Sequence, residues 1–154
     1  MYKLKPGIKQ DPERRWALPD RVFFGHGACH ILAGVYLKDP PQQEFYAERL
    51  IPKGEFPGNH IFVTNGILAF DYHGYSSRVA LLTHHVKSWR RQCGDKWEYS
   101  LERVNFDLLD QIELNRRKML GPEQYFKDPV PRARAFIRKV DHEKSATTVL
   151  RDFC

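Results

Sequence analysis

The sequence predicts one α+β domain, and three observations carry that reading. Asn65-Gly66 sits at the centre of HIFVTNGILAFD (60–71), and Asn-Gly between apolar runs is a strong hairpin signal. Residues 96–104 alternate, with Trp97, Tyr99 and Leu101 on one face and Glu98, Ser100 and Glu102 on the other, as a half-buried strand does. Between these, Val79, Leu82, Val86 and Trp89 recur at helical spacing. A chain of 154 residues is long enough for one real core, and no repeat, low-complexity tract or long linker divides it.

The elements follow in order. Residues 1–20, rich in Pro, Lys and Asp, read as an extended arm packed by Trp16 and Leu18. Gly25 and Gly27 suit a tight loop, and a helix from about Cys29 to Leu37 would bury Ile31, Leu32, Val35 and Tyr36 before Pro40-Pro41 ends it. EFYAERLI (44–51) reads as a strand, and 60–72 as the hairpin. A helix from about Ser77 to Gln92 stops at Gly94, and a further one spans about 107–119 with Leu108, Leu109, Ile112 and Met119. Another helix starts near Pro131, and 140–154 reads as a flexible tail.

Composition narrows the function classes. At 42% hydrophobic and 29% charged residues the chain is globular in type, and it has no apolar run of transmembrane length. Cys29, Cys93 and Cys154 are odd in number and widely spaced, and the first residues lack the apolar centre of a secretory signal. Reduced thiols and a cytoplasmic location are therefore expected. The formal charge of +6 is matched by residues 114–140 alone, where eight basic side chains face two acidic ones. A solvated surface explains such a stretch, and so does a non-catalytic module binding nucleic acid or another acidic partner. No glycine-aromatic platform or paired Cys/His spacing accompanies it.

The hairpin places chemistry. A two-residue turn at Asn65-Gly66 sets Thr64 opposite Ile67, Phe62 opposite Ala69, and His60 opposite Asp71. An imidazole and a carboxylate so placed can share a hydrogen bond that fixes the ring tautomer and stabilises its protonated form. The missing third member is Cys29, which follows two glycines at the expected start of a helix. Unpaired N–H groups and the helix dipole favour a thiolate there and can hold an oxyanion. In this reading Cys29 attacks a carbonyl, His60 shuttles the proton and Asp71 orients His60. His26 and Asn59 are candidate side-chain oxyanion donors. A metal site drawn from His26, Cys29, His30, His84 and His85 is the competing reading, although the spacing lacks the pairs of structural zinc motifs.

The order of these residues resembles the transglutaminase-like branch of the papain-like cysteine enzymes. GACHILAG (27–34) looks like that group's nucleophile helix, and HIFVTNGILAFDYHG (60–74) like its histidine strand, turn and aspartate strand. The likeness covers about residues 22–75, roughly a third of the chain. It implies a papain-like or transglutaminase-like domain, with the nucleophile helix packed on an antiparallel sheet. The implied roles are Cys29 as nucleophile, His60 as base and Asp71 as orienting acid. The expected activity is hydrolysis or acyl transfer at an amide, ester or thioester of a protein or small-molecule substrate. No cofactor is needed for such chemistry, and no membrane partner is expected.

Overall fold

The computed structural model describes residues 4–153. Within them five antiparallel strands form one sheet: β1 (Tyr46–Pro52), β2 (His60–Thr64), β3 (Leu68–Asp71), β4 (Gly74–Ser77) and β5 (Tyr99–Arg103). Their order is β4-β3-β2-β1-β5. Strands β2 and β3 are buried along their whole length, which is why their sequences run apolar on both faces. Ile61, Val63 and Phe70 point to the face covered by α3 (Cys29–Lys38), with α2 (Asp20–Gly25) and α6 (Pro129–Arg138) packed around it. Leu50, Phe62 and Ala69 point to the opposite face, where α4 (Arg78–Cys93) and Trp97 cover them. No helix of the described residues is long and apolar enough to cross a membrane.

The hairpin register is shifted from the one that Asn65-Gly66 predicts. Val63 pairs with Phe70 and Thr64 with Ala69. Asn65 opens the turn instead of occupying its centre: its Oδ1 accepts the backbone N–H groups of Ile67 (3.0 Å) and Leu68 (2.8 Å). Gly66 follows at φ 97°, a conformation that favours glycine, and Ile67 is left exposed. The partner of Thr64 thus moves by two residues. An even shift keeps every side chain on its face, whereas a shift of one would invert the strand. His60 and Asp71 remain on one face, as diagonal rather than direct neighbours.

The ends of the chain are more regular than the sequence suggests. The arm at 1–20 is not extended where it is described: Ile8–Gln10 form a 3-10 turn, followed by α1 (Pro12–Trp16) and then α2. Asp11 caps α1 by accepting the Arg14 N–H at 3.1 Å, with Pro12 at the first helical position. Trp16 and Leu18 do pack against the core. Arg132 of α6 latches this region by donating to Asp20 (2.7 Å), the Trp16 carbonyl (2.7 Å) and the Leu18 carbonyl (2.6 Å). The described part of the segment 140–154 is likewise no loose tail, because His142–Phe153 form α7 against β3 and β4. Its first residue is tied in: His142 Nε2 donates to the Ile137 carbonyl (2.8 Å), while Nδ1 accepts from Tyr75 Oη (2.8 Å).

Two helices need correction as well. In α4, capped by Ser77, the inward residues are Leu81, Leu82, Val86 and Trp89, while Val79 is exposed. The helix read over 107–119 shrinks to α5 (Gln111–Arg116). Asp110 caps it by accepting the Ile112 and Glu113 N–H groups, so Leu108 and Leu109 lie ahead of the helix and Ile112 faces solvent. The basic stretch is partly paired within the chain. Arg116 and Arg117 pair with Glu113, the Arg117 guanidinium lies 3.6 Å from the Phe106 ring centroid, and Arg132 is the latch.

Candidate active site

Cys29, His60 and Asp71 come from three elements that meet at one end of the sheet. Cys29 is the first residue of α3, His60 opens β2 and Asp71 closes β3. His60 Nε2–H donates to Asp71 Oδ2 at 2.9 Å, and both side chains are 4% exposed. A carboxylate only accepts, so this bond places a proton on Nε2 and leaves Nδ1 for the thiol. Cys29 lies near enough to the His60 ring for each to shift the other's titration. Asp71 has a second anchor, since its Oδ1 accepts the backbone N–H of His73 at 2.8 Å.

The electrostatics favour a separated pair of charges. Burial pushes the Cys29 thiol up, but hydrogen bonds and charge from His30 and His60 outweigh it and bring it down to about 5. Burial pushes His60 down, yet hydrogen bonds to Asp71 and Cys29, with their negative charge, bring it up to about 10. Asp71, despite burial, is held well below the usual carboxylate range by His60 and His73. At neutral pH the arrangement is a thiolate beside an imidazolium. Cys29 as a whole residue is half-buried.

Two neighbours hold this pair in place: His85, which the sequence offered only as a metal ligand, and Tyr72, which it did not single out. The His85 ring of α4 stacks on His60, centroids 5.3 Å apart and planes within 13°. Its Nε2–H donates to the Gly58 carbonyl at 2.7 Å, which ties down the loop entering β2. Burial first, then the His60 charge, pushes His85 down to about 4, so it stays neutral beside the imidazolium. Tyr72 meets His60 edge-on at 5.7 Å and packs on Gly25, where a Cβ would come within 3.1 Å of the ring. Burial, followed by the charges of Asp71 and Cys29, pushes the Tyr72 phenol up, which keeps it neutral.

The loop before Cys29 is fixed from outside. Arg15 Nη2 donates to the His26 carbonyl at 3.0 Å, and Tyr125 Oη donates to the Gly27 carbonyl at 2.7 Å. Gly27 sits at φ 107° with the Arg15 guanidinium where a Cβ would stand, so only glycine fits. Ala28 provides no side-chain cap to α3, and its first-turn N–H groups are available beside the thiol. Of the two side chains considered as oxyanion donors, Asn59 is exposed just ahead of β2 and His26 precedes Gly27.

The metal reading gathers no cluster. His30 Nε2–H donates to the Leu120 carbonyl at 2.7 Å and His85 is engaged with Gly58. Among the described residues no group of three or more His, Cys, Asp or Glu side chains is placed to hold an ion. A recognisable signal for His85 lay in its helical spacing: Leu81, His85 and Trp89 share one face of α4. Tyr72, adjacent to Asp71, carried no comparable signal. Compared with known proteins, the chain matches no family model, no curated protein and no solved structure.

Proposed function

We propose that this protein is a cysteine-dependent hydrolase or acyltransferase acting on an amide, ester or thioester, with papain-like or transglutaminase-like architecture. One observation carries the reading: a cysteine at the start of a helix stands beside a buried histidine whose Nε2–H donates to a buried aspartate. The lowered thiol and the raised imidazole support it further. A nucleophile helix packed on an antiparallel sheet is the arrangement that the resemblance implies.

In the proposed reaction the Cys29 thiolate attacks the substrate carbonyl carbon and the electron pair moves to the carbonyl oxygen. First-turn N–H groups of α3 stabilise that oxyanion. Collapse breaks the bond to the leaving group, which takes the Nδ1 proton of His60, and an acyl-cysteine remains. His60, now neutral, removes a proton from the acceptor as it attacks the acyl carbon. Water gives hydrolysis, and an amine or thiol gives transfer. The final collapse returns the thiolate and the imidazolium. Asp71 keeps the Nε2 proton in place throughout.

The test is intact-mass detection of an acyl adduct after exposure to activated esters, thioesters and amides. The expected result is a single adduct on Cys29, absent in a folded Cys29→Ser variant and slowed in His60→Ala. Failure to acylate in any series, or equal acylation of Cys29→Ser, would refute the proposal.

A further inference from the structure

A cavity of about 360 Å³ lies at the far end of α3, where that helix meets α6 and the residues leading into β1. Its volume is in the range of small-ligand sites. Val35, Leu109, Val130 and Ile137 give it an apolar lining, and Arg134 and Arg138 stand among them. Helical spacing explains the grouping: Val130, Arg134, Ile137 and Arg138 fall along one side of α6.

The two arginines differ from the other three arginines of the basic stretch. Arg116, Arg117 and Arg132 are committed to internal partners, and Lys38 at the rim is held by Asp107 at 3.1 Å. Among the described residues Arg134 and Arg138 have neither an ion pair nor a hydrogen bond. His142, also on the lining, has both ring nitrogens occupied by Tyr75 and Ile137. Asp39 is the one carboxylate of the lining. Two unpaired guanidinium forks one helical turn apart, beside an apolar hollow, match a ligand with an anionic head and an apolar body.

We infer that this cavity binds a small amphipathic monoanion, an aliphatic or aromatic carboxylate, with its body on Val35, Leu109, Val130 and Ile137 and its carboxylate on Arg134 and Arg138. The site is separate from the thiol. Cys29 and Lys38 are the two ends of α3, roughly 13 Å apart at the usual helical rise. The inference therefore stands or falls independently of the proposed chemistry at Cys29.

Isothermal titration of the full chain with decanoate, and with decanol as its neutral analogue, tests the assignment. Saturable decanoate binding is expected, with decanol at least about tenfold weaker, the loss of one charge-assisted hydrogen bond. The double variant R134Q/R138Q, whose changes are on exposed side chains, should lose about as much affinity for decanoate while its affinity for decanol stays the same. Val130→Trp, which fills the hollow, should abolish both. No decanoate binding to the wild type, equal affinity for decanoate and decanol, or undiminished decanoate binding by R134Q/R138Q would each overturn the inference.

Discussion

Replacing Asp71 with asparagine changes little in shape and should dismantle the charge pair at Cys29. Asp71 accepts from two donors, the His73 backbone N–H at 2.8 Å on Oδ1 and His60 Nε2–H at 2.9 Å on Oδ2. In Asp71→Asn one oxygen remains. The rigid backbone donor of His73 claims it, and the amide NH₂ turns toward His60 Nε2. That nitrogen must then accept, so the ring proton moves to Nδ1, the position from which His60 has to take the thiol proton. With the thiol returned from about 5 toward an ordinary value of about 8.5, less whatever His30 retains, the thiolate fraction at about pH 6 falls by up to roughly 300-fold. The more basic thiolate regains about 40-fold in intrinsic reactivity at a Brønsted slope of about 0.4–0.5. The net expectation is alkylation slower by up to roughly tenfold at about pH 6, with the inflection moved up by as much as about three pH units. Iodoacetamide labelling across pH, read by peptide mass spectrometry, measures both quantities. Nitrogen NMR of the imidazole reports the tautomer, and thermal unfolding confirms the fold. An inflection that stays near 5 in a folded Asp71→Asn protein would refute this account of His60 orientation.

Two further predictions concern stability. His85 is pushed from 6.5 down to about 4 in the folded protein, so between those values the unfolded chain binds more protons and stability is lost as pH falls. His85→Gln keeps a donor for the Gly58 carbonyl without the titration, and urea unfolding across that window should show a loss smaller by up to about 3 kcal/mol; an unchanged acid limb would contradict the assignment. Arg132→Lys keeps the charge but replaces a fork that reaches Asp20, Trp16 and Leu18 by a single ammonium. A loss of about 2–3 kcal/mol in urea unfolding is expected, whereas a change within about 0.5 kcal/mol would show that the latch is dispensable.

The sheet and the site were legible to different degrees, for physical reasons. Strands β2 and β3 and helix α3 announced themselves because burial on both sides demands apolar residues throughout. The turn misled through Asn65, whose side chain can either sit in a left-handed centre or cap the turn from its first position. Here capping won, with two backbone donors satisfied by one oxygen. The pairing of His60 with Asp71 survived that error because the period of a strand is two. Helix α7 was not legible because its anchoring is tertiary, through Tyr75 on His142 and through Ala146 buried against the rest of the fold. The same holds for α1 and α2, whose latch comes from Arg132, more than a hundred residues away. His85 drew attention only as a metal ligand and Tyr72 none, since their part in the site lies in ring contacts with His60 across elements.

The central claim is that His60 turns Cys29 into a thiolate, and the pH profile of iodoacetamide alkylation tests it most directly. Wild-type Cys29 should react with an inflection near 5, while Cys93 in the same digest serves as the internal reference. In His60→Ala the Cys29 inflection should rise toward that of an ordinary thiol, since the imidazolium that holds the charge is gone. A Cys29 that resists alkylation while the protein is folded, or that reacts identically without His60, would contradict the account and mark this residue as a core cysteine.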